Sequence, residues 1–121
     1  MFELRTGLDL CAVSRMEEAC AHERFLLRIF TDEERAYADR RGAMRFATLA
    51  GMWAAKEALC KALGTGIAFP LTDVEIVHGE NGDPAYRLRG EPARLCENAA
   101  PSLSVTHEAD MAAAVCVIIR M

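Results

Sequence analysis

The chain has 121 residues, of which 52% are hydrophobic and 26% charged, and its formal net charge is -4. This composition is typical of a globular protein with one domain, which we assign to residues 1–121, and it argues against disorder. The acidic balance argues against a nucleic-acid binder, because such proteins need an excess of lysine and arginine.

The chain also lacks the patterns that direct a protein to a membrane. Its apolar runs are too short to span a bilayer, and Glu3 and Arg5 interrupt any signal-peptide pattern. Five widely spaced cysteines without a C-x-x-C pair indicate free, buried thiols rather than a zinc site or a disulfide framework. We therefore expect a complete, freestanding cytoplasmic protein with no membrane partner.

The first thirty residues predict a strand followed by helix. Residues 2–13 predict a short strand, although Gly7 and Asp9 are unfavourable inside one. Ser14 is a candidate N-cap for a helical pattern that continues, with breaks, to about Phe30.

Two further helices follow. Thr31 and Glu34 form a capping-box pattern at the start of the first. Gly42 separates it from a long apolar helix over residues 43–63, which we expect to be central to the fold.

The second half of the chain changes to a period of two. A strand over 71–78 and its partner over 84–88 flank the ENGDP turn, a hairpin signal. A short helix over 92–98 precedes a last strand pair, PSLSVTH and MAAAVCVIIR. Helices before hairpins predict an α+β fold, with the long helix packed on a small, mainly antiparallel sheet.

The long helix carries charged residues close to its glycine-rich end. Glu57 and Lys61 are four residues apart and share one helix face. A surface ion pair explains such a spacing, but the pair lies one turn from Gly64-Thr65-Gly66, where backbone N–H groups can approach a phosphate.

Two other positions are candidates for chemistry. Asp9 is a turn former or, together with Glu57, a ligand for Mg²⁺, which takes carboxylates plus water and phosphate. His107, at the end of SVTH, is a hydrogen-bonded structural residue or a phosphate donor. His22 and His78 have no metal-ligand spacing, so we expect both on the surface.

Several stretches in order resemble one family. GLDL, RFLLRIFTDEE, FATLAGMWAAKEALCKALGTG, NGDP and SLSVTHE closely resemble holo-[acyl-carrier-protein] synthase, the small bacterial type of 4'-phosphopantetheinyl transferase. The most specific pieces are G-x-D at Gly7–Asp9 and the motif over Trp53–Gly66. The resemblance runs from Gly7 to Ile119.

The resemblance implies transfer of the 4'-phosphopantetheine arm of coenzyme A to a serine of apo acyl carrier protein, with Mg²⁺. Asp9 and Glu57 would hold the metal, and Lys61 and His107 would contact phosphates of coenzyme A. Gly64, Thr65 and Gly66 would admit the nucleotide. Glu57 is the candidate base, directly or through a bound water, and Glu108 a weaker one.

The resemblance also implies partners. Arg15, Arg24 and Arg28 match the family's docking helix for the acidic carrier protein. Family members of this size are commonly homotrimers with active sites between subunits, and we expect Phe69-Pro70-Leu71 and VCVIIR to be buried there.

Lys56 and Met52 also lie close to Glu57 in the sequence, and each has its own interpretation. Lys56 lies off the face of Glu57 and is expected to be structural. Met52 stands where many members have a basic residue; if that residue holds phosphate, affinity for coenzyme A is lower here unless Arg45 or Arg94 compensates.

Two other functions are weighed against the enzyme. One is a module of the same fold that binds coenzyme A or the carrier without turnover, and the other is a structural oligomerisation domain. The first has no need of a metal site, and the second leaves the polar residues on the long helix unexplained.

Overall fold

The computed structural model describes residues 2–121. One strand is followed by four α-helices, and then two strand pairs are separated by a short helix. In chain order they are β1 (Glu3–Ala12), α1 (Val13–Cys20), α2 (Glu23–Ile29), α3 (Asp32–Arg40), α4 (Arg45–Leu63), β2 (Val74–His78), β3 (Pro84–Leu88), α5 (Gly90–Leu95), β4 (Ser102–Glu108) and β5 (Met111–Arg120).

The strands form two antiparallel sheets, which confirms the α+β prediction. One sheet has the order β1-β5-β4, and the other is the β2–β3 hairpin around the Asn-Gly turn. The predicted strand over 71–78 is shorter than expected, because Leu71–Asp73 form a 3-10 turn before β2 begins.

Helix α4 crosses the inner face of the three-stranded sheet and forms the centre of the core. The β5 residues that face it are small or branched, and Ala112, Ala114, Cys116 and Ile118 are all buried. Gly7 of β1 makes the closest approach: a Cβ atom there would lie 1.9 Å from the Ala58 carbonyl oxygen. Only glycine therefore lets β1 lie directly on α4, which explains its place inside a strand.

The start of α1 differs from the prediction. The helix begins at Val13, so Ser14 is inside its first turn and is not the N-cap. Asp110, in the β4–β5 turn, supplies the cap instead: its carboxylate accepts from Ser14 N at 3.1 Å and from Ser14 Oγ at 2.7 Å. A cap from a residue so distant in sequence leaves no local pattern.

The start of α3 is as predicted. Thr31 Oγ1 accepts from Glu34 N at 3.1 Å, and Glu34 Oε1 accepts from Thr31 N at 2.9 Å, which completes the capping box. Gly42 begins a short 3-10 turn that joins α3 to α4.

The cysteines are free, as predicted. Cys20, Cys60, Cys96 and Cys116 are buried, whereas Cys11 is only partly buried. Burial raises the pKa of the Cys60 and Cys116 thiols to about 11, so both stay protonated at neutral pH. No helix in the part of the chain that the structure describes is long and apolar enough to cross a membrane.

Candidate active site

Asp9 and Glu57 lie close together where β1 passes the C-terminal half of α4. Side chains alternate along a strand, so Asp9 shares the helix-facing side of β1 with Gly7. Its side chain is 15% exposed. Burial raises the pKa of Glu57, and the neighbouring Asp9 carboxylate raises it further, while Lys61 opposes the shift. Two carboxylates are thus held near each other in a partly dehydrated place.

Lys61 joins this pair from one turn further along α4. Its Nζ lies 3.1 Å from Asp9 Oδ1 and donates to the Leu8 carbonyl oxygen at 3.0 Å. The lysine side chain remains about half exposed, at 53%. The trio of Asp9, Glu57 and Lys61 therefore combines two hard oxygen ligands with a cation that solvent, or a phosphate, can reach.

The Gly64-Thr65-Gly66 segment ends α4 with a left-handed glycine. Gly64 has φ +77°, and the N–H groups of Gly64 and Thr65 both donate back to the Cys60 carbonyl oxygen. The expectation that these amides are free for a phosphate is wrong for Gly64 and Thr65, because they close the helix end. The segment remains exposed, and Gly66 has open space where a side chain would be.

His107 lies elsewhere. It extends from the helix-facing side of β4, and its Nε2 is 2.9 Å from the Ala47 carbonyl oxygen, near the start of α4. Gly51, which it also approaches, is six residues before Glu57, a rise of about 9 Å along a helix. Within one chain, His107 is therefore separate from the Asp9–Glu57–Lys61 trio.

His107 borders a cleft of about 150 Å³ that sequence reasoning missed. Besides His107, the cleft is lined by residues of α3 and its C-cap, of α4 and of the β2–β3 hairpin, among them Tyr37, Arg41, Thr48, His78 and Pro84. His78 is not a surface residue as expected: it is half-buried, and its ring stacks on Tyr37 with centroids 3.9 Å apart. The NGDP motif was the one available signal, since Gly82 and Pro84 are among the lining residues.

The three arginines expected to contact a partner are exposed on the first two helices. Arg15 lies on α1, and Arg24 and Arg28 lie on α2. Arg15 and Arg28 each border a surface hollow that also contacts Trp53 of α4. These arginines are thus available to an acidic partner on the side of α4 that Trp53 occupies.

A protein-family model matches nearly the whole length of the chain. The model of the 4'-phosphopantetheinyl transferase superfamily covers residues 5–116. The chain therefore belongs to the 4'-phosphopantetheinyl transferase superfamily.

Within that superfamily, the relatives are holo-[acyl-carrier-protein] synthases. The chain is 38% identical to the holo-[acyl-carrier-protein] synthase of Caldicellulosiruptor saccharolyticus, over 89% of each chain. It is 45% identical to the one of Gluconobacter oxydans, over 82% of this chain and 66% of that protein. The family predicted from the sequence motifs is confirmed.

Solved structures agree with the fold. The complex of a Chronobacterium ammoniagenes ACPS with CoA superposes with a TM-score of 0.86 at 28% identity and covers 98% of both chains. The Helicobacter pylori holo-[acyl-carrier-protein] synthase in complex with coenzyme A gives 0.82 at 28% identity, over 93% of this chain and 98% of that one.

Proposed function

We propose that this protein transfers 4'-phosphopantetheine from coenzyme A to a serine of apo acyl carrier protein, with residues 1–121 acting as one transferase domain. The products are holo acyl carrier protein and adenosine 3',5'-bisphosphate. The observation that carries the proposal is the convergence of Asp9, Glu57 and Lys61 at the end of α4, in a chain of this family.

Asp9 and Glu57 fit a magnesium site. Mg²⁺ is bound in proteins by one or two carboxylates together with water and substrate phosphates. A metal held here would have these two carboxylates as its protein ligands, since no group of three or more acidic, histidine or cysteine side chains able to hold a metal occurs within residues 2–121. When bound, Mg²⁺ supplies positive charge to the pyrophosphate oxygens of coenzyme A.

The side chains of the trio divide the work of the reaction. The carrier serine Oγ forms a bond to the phosphorus that bears pantetheine, and the bond from that phosphorus to the adenosine bisphosphate oxygen breaks. We assign Glu57 to accept the serine proton, directly or through a bound water, because it is the carboxylate that lies beside both Asp9 and Lys61. Lys61, whose ammonium is half exposed beside Asp9, neutralises charge on the phosphate oxygens.

A homotrimer with sites between subunits accounts for the distance between His107 and the trio. If His107 acts on the same coenzyme A, it comes from a second copy of the chain. The outer face of the β1-β5-β4 sheet supports this assembly, because it exposes Leu4, Leu8, Leu10 and Ile119. Of the segments expected at the interface, the last strand fits, but Phe69 and Leu71 do not, since both are buried in their own subunit.

The carrier protein is the acidic partner that fits Arg15, Arg24 and Arg28. Charges that remain exposed mainly raise the rate of association and are screened by salt. We place the reaction in the cytoplasm, a reducing compartment that suits the five free thiols.

The release of adenosine 3',5'-bisphosphate tests the proposal. Incubation with coenzyme A and apo acyl carrier protein should release one bisphosphate per carrier modified, measured chromatographically. A module that only binds would leave coenzyme A intact, and that outcome would refute the proposal.

A further inference from the structure

The His107 cleft has the electrostatic character of an anion site. Arg41 is one of its lining residues, and His78 and His107 contribute two rings that can donate hydrogen bonds. None of the residues that line the cleft is acidic, and the one carboxylate that acts on His78 is that of Asp83, between the lining residues Gly82 and Pro84. The described surroundings therefore favour a negatively charged group in this position.

Arg41 is the arginine that remains available there. No salt bridge or side-chain hydrogen bond to its guanidinium occurs within residues 2–121, and the residue is exposed. The two arginines expected to compensate for Met52 are engaged: Arg45 Nε is 2.8 Å from Asp39 Oδ1, and Arg94 pairs with Glu91.

The charge of Arg41 acts within the cleft. The pKa of His78 is lowered chiefly by burial and then by Arg41, while the Asp83 carboxylate opposes the shift, which indicates that both charged groups are near the His78 ring. Met52, in the same wall, is 2% exposed and provides no charge. Arg41 is therefore the one permanent cation that borders this cleft.

We infer that Arg41 binds the ribose 3'-phosphate of coenzyme A in this cleft, in place of a basic residue at position 52. The inference rests on the proposed function. In the proposed function, the trio of Asp9, Glu57 and Lys61 binds the pyrophosphate of coenzyme A. The 3'-phosphate is the other doubly charged group of this substrate, and it needs a binding site of its own. A guanidinium suits it, because its forked N–H groups form two parallel bonds to phosphate oxygens. The Thr48 hydroxyl in the same lining adds a neutral donor.

A comparison of transfer from coenzyme A and from dephospho-coenzyme A, which lacks the 3'-phosphate, distinguishes a phosphate-binding role of Arg41 from a structural one. We expect the wild-type protein to prefer coenzyme A in kcat/KM, and Arg41→Gln to reduce the ratio of the two kcat/KM values by about tenfold, the size of one charge-assisted contact. Arg40→Gln is the matched control, since it removes the same charge from the adjacent residue, which is not part of this cleft. It should keep the wild-type ratio.

The outcomes are distinguishable. A wild-type protein that transfers from neither substrate refutes the proposed function and this inference together. An active wild-type protein whose ratio is unchanged by Arg41→Gln, or equally reduced by Arg40→Gln, refutes only the inference. Calorimetry with adenosine 3',5'-bisphosphate and with AMP repeats the comparison without turnover: Arg41→Gln should lose the preference for the bisphosphate, and a preserved preference contradicts the role.

Discussion

Lys56 Nζ lies 2.9 Å from Glu34 Oε1, and neither side chain is exposed to solvent. The ammonium also donates to the Leu71 and Val74 carbonyl oxygens at 2.8 Å each. Glu34 Oε2 accepts from Ile76 N at 2.8 Å. This buried network joins α3 and α4 to the start of β2, which agrees with the structural role expected of Lys56.

Removal of the Lys56 ammonium should destabilise the fold strongly. Lys56→Met leaves Glu34 buried without its counter-charge, and we expect the free energy of unfolding to fall by about 3–5 kcal/mol in urea denaturation. Lys61→Met, which removes an exposed lysine of the same helix, should cost less than about 1 kcal/mol. Equal losses for the two variants would contradict the account of the network.

Glu57→Gln should abolish most transfer while it leaves the fold intact. The amide keeps the size of the side chain but removes both the charge for a metal and the proton acceptor. We expect kcat to fall by at least about a hundredfold, with an unchanged melting temperature. Glu108→Gln, at the exposed end of β4, tests the weaker candidate base and should retain activity. Near-normal turnover by Glu57→Gln would show that Glu57 is neither the base nor a required metal ligand.

Arg15→Glu should weaken the use of the carrier protein and spare coenzyme A. Reversal of an exposed charge facing an acidic partner slows association, so the KM for apo carrier protein should rise several-fold and the difference should shrink in high salt. Arg94→Glu, on α5, provides a matched charge reversal away from α1 and α2. A similar rise in both KM values for Arg15→Glu would rule out a docking role.

Glu75 should give the fold an acid-sensitive contribution. Burial alone would raise its pKa, but hydrogen bonds from Thr31 and Arg87, with the nearby charge of Arg89, outweigh burial and hold the pKa below its usual 4.5. A depressed carboxylate pKa stabilises the fold above the unfolded-state value, and this contribution is lost as pH falls through the folded-state value.

Glu75→Gln should therefore cost about 1–2 kcal/mol of unfolding free energy at neutral pH, and the difference from wild type should narrow below about pH 4.5. Urea denaturation of both proteins between neutral pH and about pH 3 tests whether the stability difference decreases with falling pH. A difference that stays constant down to about pH 3 would contradict the depressed pKa.

Features that depend on residues close together in the chain were predicted well from the sequence. The capping box of Thr31 and Glu34 is a local hydrogen-bond pattern, and it occurs as expected. Asp9 and Glu57 lie close enough to influence each other electrostatically, although nothing in their spacing shows that β1 crosses α4. Their role as metal ligands stays a prediction.

The failures arise where contacts are distant in sequence. Asp110 caps α1 across 96 residues, and His78 stacks on Tyr37 from another element, so neither has a sequence signature. The separation of His107 from Glu57 depends on how β4 lies across α4, which a motif cannot show. The sequence showed that Met52 replaces a basic residue common in the family. It did not show that Arg41 lines the same cleft as Met52, because that depends on the folded structure.

Transfer of phosphopantetheine is tested most directly by the intact mass of an apo acyl carrier protein after incubation with this protein, coenzyme A and Mg²⁺. We predict a gain of one phosphopantetheine, which EDTA and the Glu57→Gln substitution both abolish. An unchanged carrier mass with coenzyme A still bound to the protein would contradict catalysis, and a gain that persists in EDTA would contradict the metal site at Asp9 and Glu57.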